Sequence, residues 1–186
     1  MKLIATKLEG VFLITPKKHI DNRGYFLESY KQSFLIDHGV NINFTQDNLS
    51  FSKQYVLRGL HSQQSPYGQV KLVRCIQGNI FDVAVDIRIN SPSFGQWVGY
   101  HLNSDNCHSL LIPAGYAHGF YVTSPQALVA YKVDQPYAPD HEVTIIYNDS
   151  TINIQWPGTK FILNEKDNQA PNLETVTNQI CKNLLS

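Results

Sequence analysis

The sequence predicts a mainly β domain, built as a sandwich or a closed barrel whose interior serves as a pocket. Two observations lead to this fold class. β-Branched and aromatic residues are concentrated in short runs through the middle of the chain, at residues 70–76, 80–87 and 97–102. Helical periodicity, in contrast, is weak along the chain. In such a fold the pocket-facing residues should alternate along the strands.

The predicted elements follow one another as short strands separated by turns. Helical patterns are limited to residues 27–38 near the start and 173–185 at the end, and we expect neither to form the core. Gln77-Gly78-Asn79 separates two strand runs and predicts a hairpin turn, while the Asn-Ser-Pro-Ser segment at 90–93 ends the next strand. The pattern indicates a meander of antiparallel strands.

Length and composition limit the classes of protein that fit. The 186 residues suit one domain, with a core at about 8–171 and a helical tail at 172–186. Fifteen basic and fifteen acidic residues cancel, so binding to nucleic acid or to a charged membrane is not expected. No stretch could span a bilayer, and we expect a soluble cytoplasmic protein. Three widely spaced cysteines without a CxxC pair argue against disulfides or zinc.

Several segments are richer in polar and aromatic residues than connecting loops require, which is typical of functional loops. Together they suggest one site. A metal centre would need a second histidine or a carboxylate close by on the same strand face. Leu60-His61-Ser62-Gln63 offers one histidine, and His101 and His108 are expected at the surface, so we expect no metal. The segments are 21–28, 46–48, 58–61, 113–120, 131–132 and 164–167, with Lys71 and Tyr137.

Taken one at a time, these residues fit structural roles as well as chemical ones. His61, just before the loop 62–68, is by itself more typical of a hydrogen-bonded structural histidine than of a base. Lys71 is either a solvated edge residue or, if it points inward, a cation for an anionic partner such as an enolate or a phosphate. His118 precedes Gly119 and is equally compatible with capping a carbonyl and with contacting a ligand.

Two further pairs of residues, considered alone, are explained by structural roles. Asp82 and Asp86 alternate with apolar residues and share one strand face, where we expect them to pair with nearby arginines or backbone groups. Tyr131 and Tyr137 are two of ten tyrosines in the chain, and packing is a sufficient role for both.

The order and spacing of the segments resemble the dTDP-4-dehydrorhamnose 3,5-epimerase family from about residue 8 to residue 171. The resemblance implies a cupin-like jelly-roll barrel with short flanking helices, no metal or cofactor, and a homodimer. It also implies a role in dTDP-L-rhamnose synthesis for cell-surface polysaccharide, such as the O-antigen of lipopolysaccharide. The motifs that carry it are 21–28, 46–48, Arg58-Gly59-Leu60-His61, 71–74, 81–88, 91–95, 112–120, 131–132, 137–142 and 165–167.

The resemblance further implies the inversion of C3 and C5 of dTDP-4-dehydro-6-deoxy-D-glucose. His61 would be the proton acceptor, and Asp167 would be the carboxylate that orients it. Tyr131 would donate a proton from the opposite face of the sugar, and Lys71 would lie beside the ketone oxygen. These residue types suit the chemistry because the ketone acidifies both carbons and a cation stabilises the enolate as charge develops.

By the same resemblance, other side chains would bind the substrate, a dTDP-linked 4-keto-6-deoxy sugar. An arginine suits the diphosphate because its planar fork gives paired, charge-assisted hydrogen bonds. The nucleotide and diphosphate would be contacted by Arg23, Gln46, Asp47, Asn48, Arg58 and Lys166. Thymine would be bound by Glu28 and by stacking on Tyr137, with Phe26, His118 and Glu142 as the remaining substrate-binding residues.

The chain departs from the family pattern at one position, where Ser62 follows His61 and the family usually has an aromatic residue. Tyr67 is close enough in sequence to fill the space. Three other functions stay open. One is an epimerase of a related nucleotide sugar that inverts C3 alone, and another is a non-catalytic cupin that binds nucleotide sugars. The third, a metal-dependent cupin oxygenase, lacks its paired histidine motif.

Overall fold

The computed structural model describes the backbone of residues 1–185 and the side chains of residues 1–181. Within this range the chain forms thirteen strands and three α-helices, which confirms the mainly β fold. The strands are β1 Lys2–Ala5, β2 Phe12–Thr15, β3 His19–Asp21, β4 Gly24–Phe26, β5 Gln46–Lys53, β6 Leu57–Gln63, β7 Lys71–Gln77, β8 Asn79–Asp86, β9 Trp97–Asn103, β10 Ser109–Ile112, β11 Tyr116–Val122, β12 Gln126–Val133 and β13 Glu142–Thr144. The helices are α1 Gln32–Asp37, α2 Glu165–Asn168 and α3 Leu173–Leu185, with a 3₁₀ turn at Pro139–His141.

Two antiparallel sheets pack face to face, in the arrangement of a cupin-like jelly roll. The first has six strands in the order β1-β2-β10-β7-β12-β5, and the second has five in the order β13-β6-β11-β8-β9. Apolar side chains from both inner faces share one core, among them Val73 and Val129 from the first sheet and Ile80 and Phe120 from the second. The space between the sheets is therefore mostly filled, and a pocket can open only where polar side chains replace this core.

Residues 77–79 form a turn, as predicted, but the strands on either side do not pair with each other. Strand β7 pairs with β10 and β12, whereas β8 pairs with β9 and β11. Gly78 has a φ of +84°, and a Cβ there would lie 2.1 Å from the carbonyl oxygen of Gln126, so this corner requires glycine. The predicted hairpin and simple meander are wrong because strand propensity does not reveal which sheet a buried strand joins. Consequently β7 and β8 face the interior from opposite walls.

Alternation along the strands turns two polar side chains toward the interior. On β7, Lys71 is in phase with Val73 and Cys75, which belong to the core. On β12, Tyr131 is in phase with the buried Val129 and packs against the same core. Both polar residues therefore lie at one end of the space between the sheets.

Both predicted helical segments form helices, and only the first differs from its predicted bounds. Helix α1 is shorter than the predicted 27–38. The backbone is extended at its N-cap, Lys31, whose side chain makes no cap hydrogen bond, and the helix ends before Gly39, which has a φ of +78°. Helix α3 has the predicted bounds, but it buries Leu173 and Val176 against the five-stranded sheet. As expected, neither helix forms the core between the sheets, although α1 also buries one residue, Leu35, in a smaller cluster outside it. Over residues 1–185, no helix is long and apolar enough to cross a membrane.

Candidate active site

A cavity of about 250 Å³ opens between the two sheets and is lined mainly by polar side chains. Eight of the predicted site residues line it: Arg58, His61, Lys71, His118, Tyr131, Tyr137, Glu142 and Asp167. The remaining lining residues are Ser50, Ser62, Gln63, Gln69, Phe120 and Asn164. The structure thus brings together side chains that are up to 109 positions apart in the sequence, from Arg58 to Asp167.

His61 is held by a hydrogen bond to a carboxylate from the C-terminal part of the chain. Its Nε2 lies 2.6 Å from Oδ1 of Asp167, whose side chain is 1% exposed. Because a carboxylate can only accept, Nε2 carries the hydrogen in this bond, and in the neutral ring Nδ1 is the nitrogen with a free lone pair. The His61 side chain remains 31% exposed, so that nitrogen is accessible from the cavity. This is the arrangement of a general base with an orienting carboxylate.

Asp167 is fixed by hydrogen bonds through both its backbone and its side chain. The Asn164 side chain caps helix α2 by accepting the Asp167 N–H at 2.7 Å. The Gly59 N–H donates to Oδ2 of Asp167 at 3.2 Å. Burial raises the pKa of this carboxyl, but the hydrogen bond and charge of His61, the Gly59 N–H and the charge of Lys166 together lower it below its usual value. Asp167 therefore carries the negative charge that a protonated His61 needs.

Two glycines allow the strands that carry the histidines to approach closely. A Cβ on Gly59 would lie 2.5 Å from the Cα of Gly119, and a Cβ on Gly119 would lie 2.9 Å from the carbonyl oxygen of Arg58. Gly59 also has a φ of +125°, which other residues rarely adopt. A bulge between His118 and Phe120 lies at this point of the ladder. The bulge and the glycines set the local direction of both histidine side chains.

Lys71 enters the cavity from the six-stranded sheet. It is 9% exposed, and its Nζ donates to the carbonyl oxygen of His61 at 3.3 Å. The pKa of Lys71 is lowered to about 8, because burial lowers it by more than the negative charges of Asp82 and Glu142 raise it. The inward orientation is the one that the sequence left open, and it places a cation inside the cavity.

His118 lies directly opposite His61 in the ladder between β11 and β6. Its Nε2 is 2.7 Å from Oδ1 of Asp82, a residue with no exposed surface. The expected partners of the two β8 carboxylates are confirmed only for Asp86, which binds Arg88 at 2.8 Å. For Asp82 the expectation is wrong, because the partner is a histidine on the neighbouring strand.

Tyr131 faces the histidines from the other sheet. It lies on β12, in register with Asn48 on β5 and Val73 on β7. Burial raises the pKa of its hydroxyl, and the positive charge of Arg58 lowers it in part. The phenol therefore holds its proton at neutral pH and can act as a donor on the side of the cavity away from His61.

The mouth of the cavity carries a linked set of polar side chains. The Tyr137 hydroxyl donates to Oε2 of Glu142 at 2.7 Å, and Lys166 forms an ion pair with the same carboxylate. Burial raises the pKa of Glu142, but the bonds from Lys166 and Tyr137 outweigh it and the net pKa is below its usual value. Arg58 donates to the Ser52 hydroxyl at 3.0 Å, which holds its guanidinium beside the cavity.

Gln63 was not among the predicted site residues, although it lines the cavity. Its Nε2 donates to the carbonyl oxygens of Tyr67 at 2.7 Å and Pro136 at 3.1 Å, and its Oε1 accepts the Ala138 N–H at 2.9 Å. It therefore fixes the segment that carries Tyr137. Its position two residues after His61 on a strand was the signal that could have revealed it, because residues two apart share a face. The same signal applies to Phe120 after His118.

The three predicted residues at the start of β5 do not share one orientation. Gln46 and Asn48 are hydrogen-bonded to each other at 2.8 Å and are in phase with Ser50, which lines the cavity. Asp47 points to the other face of the sheet, where its carboxylate accepts hydrogen bonds from Lys132 at 2.7 and 3.0 Å. Alternation therefore turns the Asp47 side chain away from this cavity, and its contact with the nucleotide stays a prediction.

The three predicted residues nearest the N-terminus lie outside the cavity. Arg23 and Phe26 belong to the exposed hairpin of β3 and β4, where Arg23 pairs with Asp21 at 2.5 Å. Glu28 follows the hairpin and pairs with Lys31 at 3.4 Å. A single copy of the chain does not bring these three side chains to His61.

Ser62 is 5% exposed and lines the cavity beside the predicted base. Tyr67 does not fill the space next to it. The Tyr67 ring packs edge-on against His141, with ring centroids 4.6 Å apart, and it is not a lining residue. The side chains of residues 1–181 form no cluster of three or more His, Cys, Asp and Glu residues that could hold a metal ion.

The comparisons with known proteins agree with one another. The family model described as dTDP-4-dehydrorhamnose 3,5-epimerase matches residues 5–175. The enzyme of that name from Escherichia coli K12 is 49% identical over 170 residues, which cover 90% of this chain and 91% of the relative.

Solved structures add two matches of different kinds. A dTDP-6-deoxy-D-glucose-3,5-epimerase from Legionella pneumophila, in complex with dTDP-4-keto-L-rhamnose, is 43% identical, covers 96% of both chains and superimposes with a TM-score of 0.92. A 3'-monoepimerase from Streptomyces bikiniensis, in complex with dTDP-quinovose, is 29% identical, covers 96% of this chain and 90% of its own, and has a TM-score of 0.89.

Proposed function

The chain belongs to the dTDP-4-dehydrorhamnose 3,5-epimerase family, and from this premise we propose that its cavity inverts C3 and C5 of dTDP-4-dehydro-6-deoxy-D-glucose. This is an isomerase reaction in dTDP-L-rhamnose biosynthesis. The observation that carries the proposal is the His61–Asp167 pair at 2.6 Å in a cavity whose opposite sheet supplies Lys71 and Tyr131.

Proton removal is the first step. The C4 ketone makes the hydrogens on C3 and C5 acidic, because the carbanion that forms is delocalised onto the ketone oxygen as an enolate. His61 accepts the proton at Nδ1, and the C–H electron pair moves into the enolate. Asp167, hydrogen-bonded to Nε2, stabilises the imidazolium that results.

Stabilisation of the enolate falls to the cation inside the cavity. An ammonium in a site that excludes water interacts strongly with charge that develops on a nearby oxygen. Lys71 is the buried ammonium of this cavity, and it enters from the wall opposite His61. Its effect is greatest in the transition state, since the ground-state ketone carries no full charge.

Reprotonation from the opposite face completes the inversion. His61 belongs to the five-stranded sheet and Tyr131 to the six-stranded sheet, so a sugar ring between them meets one group on each face. Tyr131 gives its proton to the carbon as the enolate returns to the ketone. Solvent then takes the proton from His61 and restores the one on Tyr131, and the sequence repeats at the second carbon. Each step moves only protons, with no change in oxidation state.

Nucleotide binding is assigned to the mouth of the cavity. Arg58 and Lys166 supply positive charge for the diphosphate, and Tyr137 is exposed and free to present its ring to thymine. Gln46 and Asn48 lie on the strand beside Tyr131 and face the same interior. His118 and Glu142 contact the sugar from the cavity wall.

A homodimer is part of the proposal. Large apolar side chains are exposed on the edge strand β5 and on the β3–β4 hairpin, including Leu49 at 66%, Phe51 at 55% and Phe26 at 69%. A second copy that covers this surface would remove them from water. It would also give Arg23, Phe26 and Glu28 a route to substrate, through the cavity of the partner, which the single chain does not provide.

The alternative within the same class is inversion at C3 alone. It is favoured by the match to a 3'-monoepimerase and by Ser62, the departure next to the base. The test is to incubate the purified protein with dTDP-4-dehydro-6-deoxy-D-glucose and to assign the product by NMR coupling constants. We expect the sugar inverted at both centres. A product inverted at C3 alone would contradict the 3,5-epimerase assignment, and unchanged substrate would contradict enzymatic activity altogether.

A further inference from the structure

Asp82 is a buried carboxylate that the steps above do not use. It has no exposed surface, and its Oδ1 accepts the hydrogen bond from Nε2 of His118. Its Oδ2 is buried without a hydrogen-bond partner among the described side chains. A buried carboxylate with an unpaired oxygen destabilises the folded protein unless another interaction compensates for its charge.

Lys71 provides that interaction across the interior. Strands β7 and β8 lie in different sheets. Lys71 and Asp82 are each in phase with core residues of their own strand, so both side chains point into the space between the sheets. The charge of Asp82 is the strongest influence that raises the pKa of Lys71 against the effect of burial, ahead of the charge of Glu142. The only hydrogen bond that Nζ makes within residues 1–181 is the 3.3 Å contact with the His61 carbonyl oxygen. Lys71 thus depends on a distant counter-charge rather than on a direct ion pair.

We propose that Asp82 is a positioning residue for the epimerisation, because it supplies the counter-charge that keeps the buried Lys71 ammonium inside the cavity and fixes the ring of His118. The inference rests on the proposed function of the cavity. It assigns Asp82 a role through two neighbours, since its own side chain does not line the cavity. With Nε2 of His118 bound to Asp82, Nδ1 is the ring nitrogen available to the substrate.

Among the charged groups around Lys71, Asp82 is the one whose substitution tests the proposal best. The titratable and charged groups that surround the cavity end of Lys71 are Asp82 on β8, Glu142 on β13, Arg58 and His61 on β6, His118 on β11, Tyr131 on β12 and Asp167 on α2. Glu142 is already bonded to Lys166 and Tyr137, and Asp167 is bonded to His61. Asp82 is therefore the carboxylate whose charge is least committed to another cation.

The test is the pH profile of the Asp82→Asn variant. Asparagine has the same shape and can still accept the hydrogen bond from His118, but it removes the charge. Lys71 must be protonated to stabilise the enolate, and activity is lost as pH rises through its pKa, which is about 8 in the native protein. Without Asp82 that pKa falls, so the alkaline limb of kcat should move down by about one pH unit or more, with KM nearly unchanged.

Asp86→Asn is the matched control. Asp86 is a second fully buried carboxylate on the same strand, but it binds Arg88, Ser91 and Ser93 away from the cavity. The Asp86→Asn substitution should lower the melting temperature and leave the alkaline limb of the kcat profile unchanged. An Asp82→Asn enzyme whose alkaline limb coincides with that of the native protein would overturn the proposal.

A second measurement covers the case in which Asp82→Asn folds poorly. Melting temperatures of Lys71→Met, Asp82→Asn and the double variant form a thermodynamic cycle. If the two charges interact, Lys71→Met should lower the melting temperature more with Asp82 present than with asparagine there, whereas additive shifts would refute the interaction. Native protein that fails to epimerise the sugar would refute the proposed function, while the cycle would still report on the charge pair.

Discussion

His61 and His118 lie opposite each other on β6 and β11, and the Nε2 of each ring is hydrogen-bonded to a buried carboxylate, at 2.6 and 2.7 Å. The two pairs differ in their accessibility. The side chain of His61 is 31% exposed and that of His118 is 10% exposed. The more accessible ring is the one assigned as the base, because proton transfer to solvent must follow each turnover.

Replacement of His61 by asparagine should stop proton removal. Asparagine can bond to Asp167 but cannot accept a proton, so we expect kcat to fall by about 10³-fold or more. The measurement is the rate of substrate deuteration in heavy water, with circular dichroism as the check on folding. Deuteration at the native rate would exclude His61 as the base.

Replacement of Tyr131 by phenylalanine should separate exchange from inversion. His61 remains able to remove and return a proton on its own face, while the donor on the other face is lost. We expect deuterium in recovered substrate of unchanged stereochemistry and a loss of inverted product of about 10²-fold or more. Inverted product formed at the native rate would remove Tyr131 from its assigned role.

Gln63→Leu should weaken substrate binding more than it slows turnover. The change removes three hydrogen bonds, two of which fix residues 136–138, the segment that carries Tyr137. We expect KM to rise about tenfold, because the ring assigned to thymine loses its fixed position, with a smaller change in kcat. Steady-state kinetics distinguishes this from a defect in chemistry, in which kcat alone would fall.

Asp86 should contribute stability that depends on pH. Burial raises its pKa, but the bonds from Arg88, Ser91 and Ser93 lower it to about 2, below the usual 3.8. Its contribution is therefore complete above about pH 4 and is lost as pH falls toward 2, with a size of about 2 kcal/mol. Urea unfolding should show Asp86→Asn less stable than native protein at pH 7, with the difference narrowing in acid. A difference that is constant with pH would contradict this charge state.

Mixed dimers test the proposed route from Arg23 to the neighbouring cavity. His61→Asn lacks the base, and Arg23→Ala lacks the hairpin arginine. In a mixed dimer, the cavity with an intact His61 receives Arg23 from the other copy. We expect each variant alone to be weakly active and the purified mixed dimer to regain up to about half of native activity. No recovery would mean that Arg23 does not act across a dimer.

Much of the fold and site was predictable from the sequence because those features are local. The runs of β-branched residues at 70–76 and 97–102 correspond to β7 and β9 within one residue at each end. The segments that contain His61 and Asp167 are richer in polar residues than connecting loops require. Resemblance to a family then gave these residues roles that single positions could not.

The features that escaped prediction depend on pairing between distant strands. The Asp82–His118 bond joins residues 36 positions apart, and nothing in either segment reveals the register of β8 against β11. The separation of β7 and β8 into different sheets has the same origin. The outward direction of Asp47, in contrast, follows from simple alternation with Asn48 and could have been foreseen.

Deuterium incorporation in heavy water tests the central claim most directly. The native protein should be incubated with dTDP-4-dehydro-6-deoxy-D-glucose in deuterated buffer, and the label located by proton NMR. Removal and replacement of a proton at both carbons predicts deuterium at C3 and at C5 of the inverted product. Deuterium at C3 alone, or at neither carbon while the protein remains folded, would contradict the assignment of His61 and its partners as a 3,5-epimerase site.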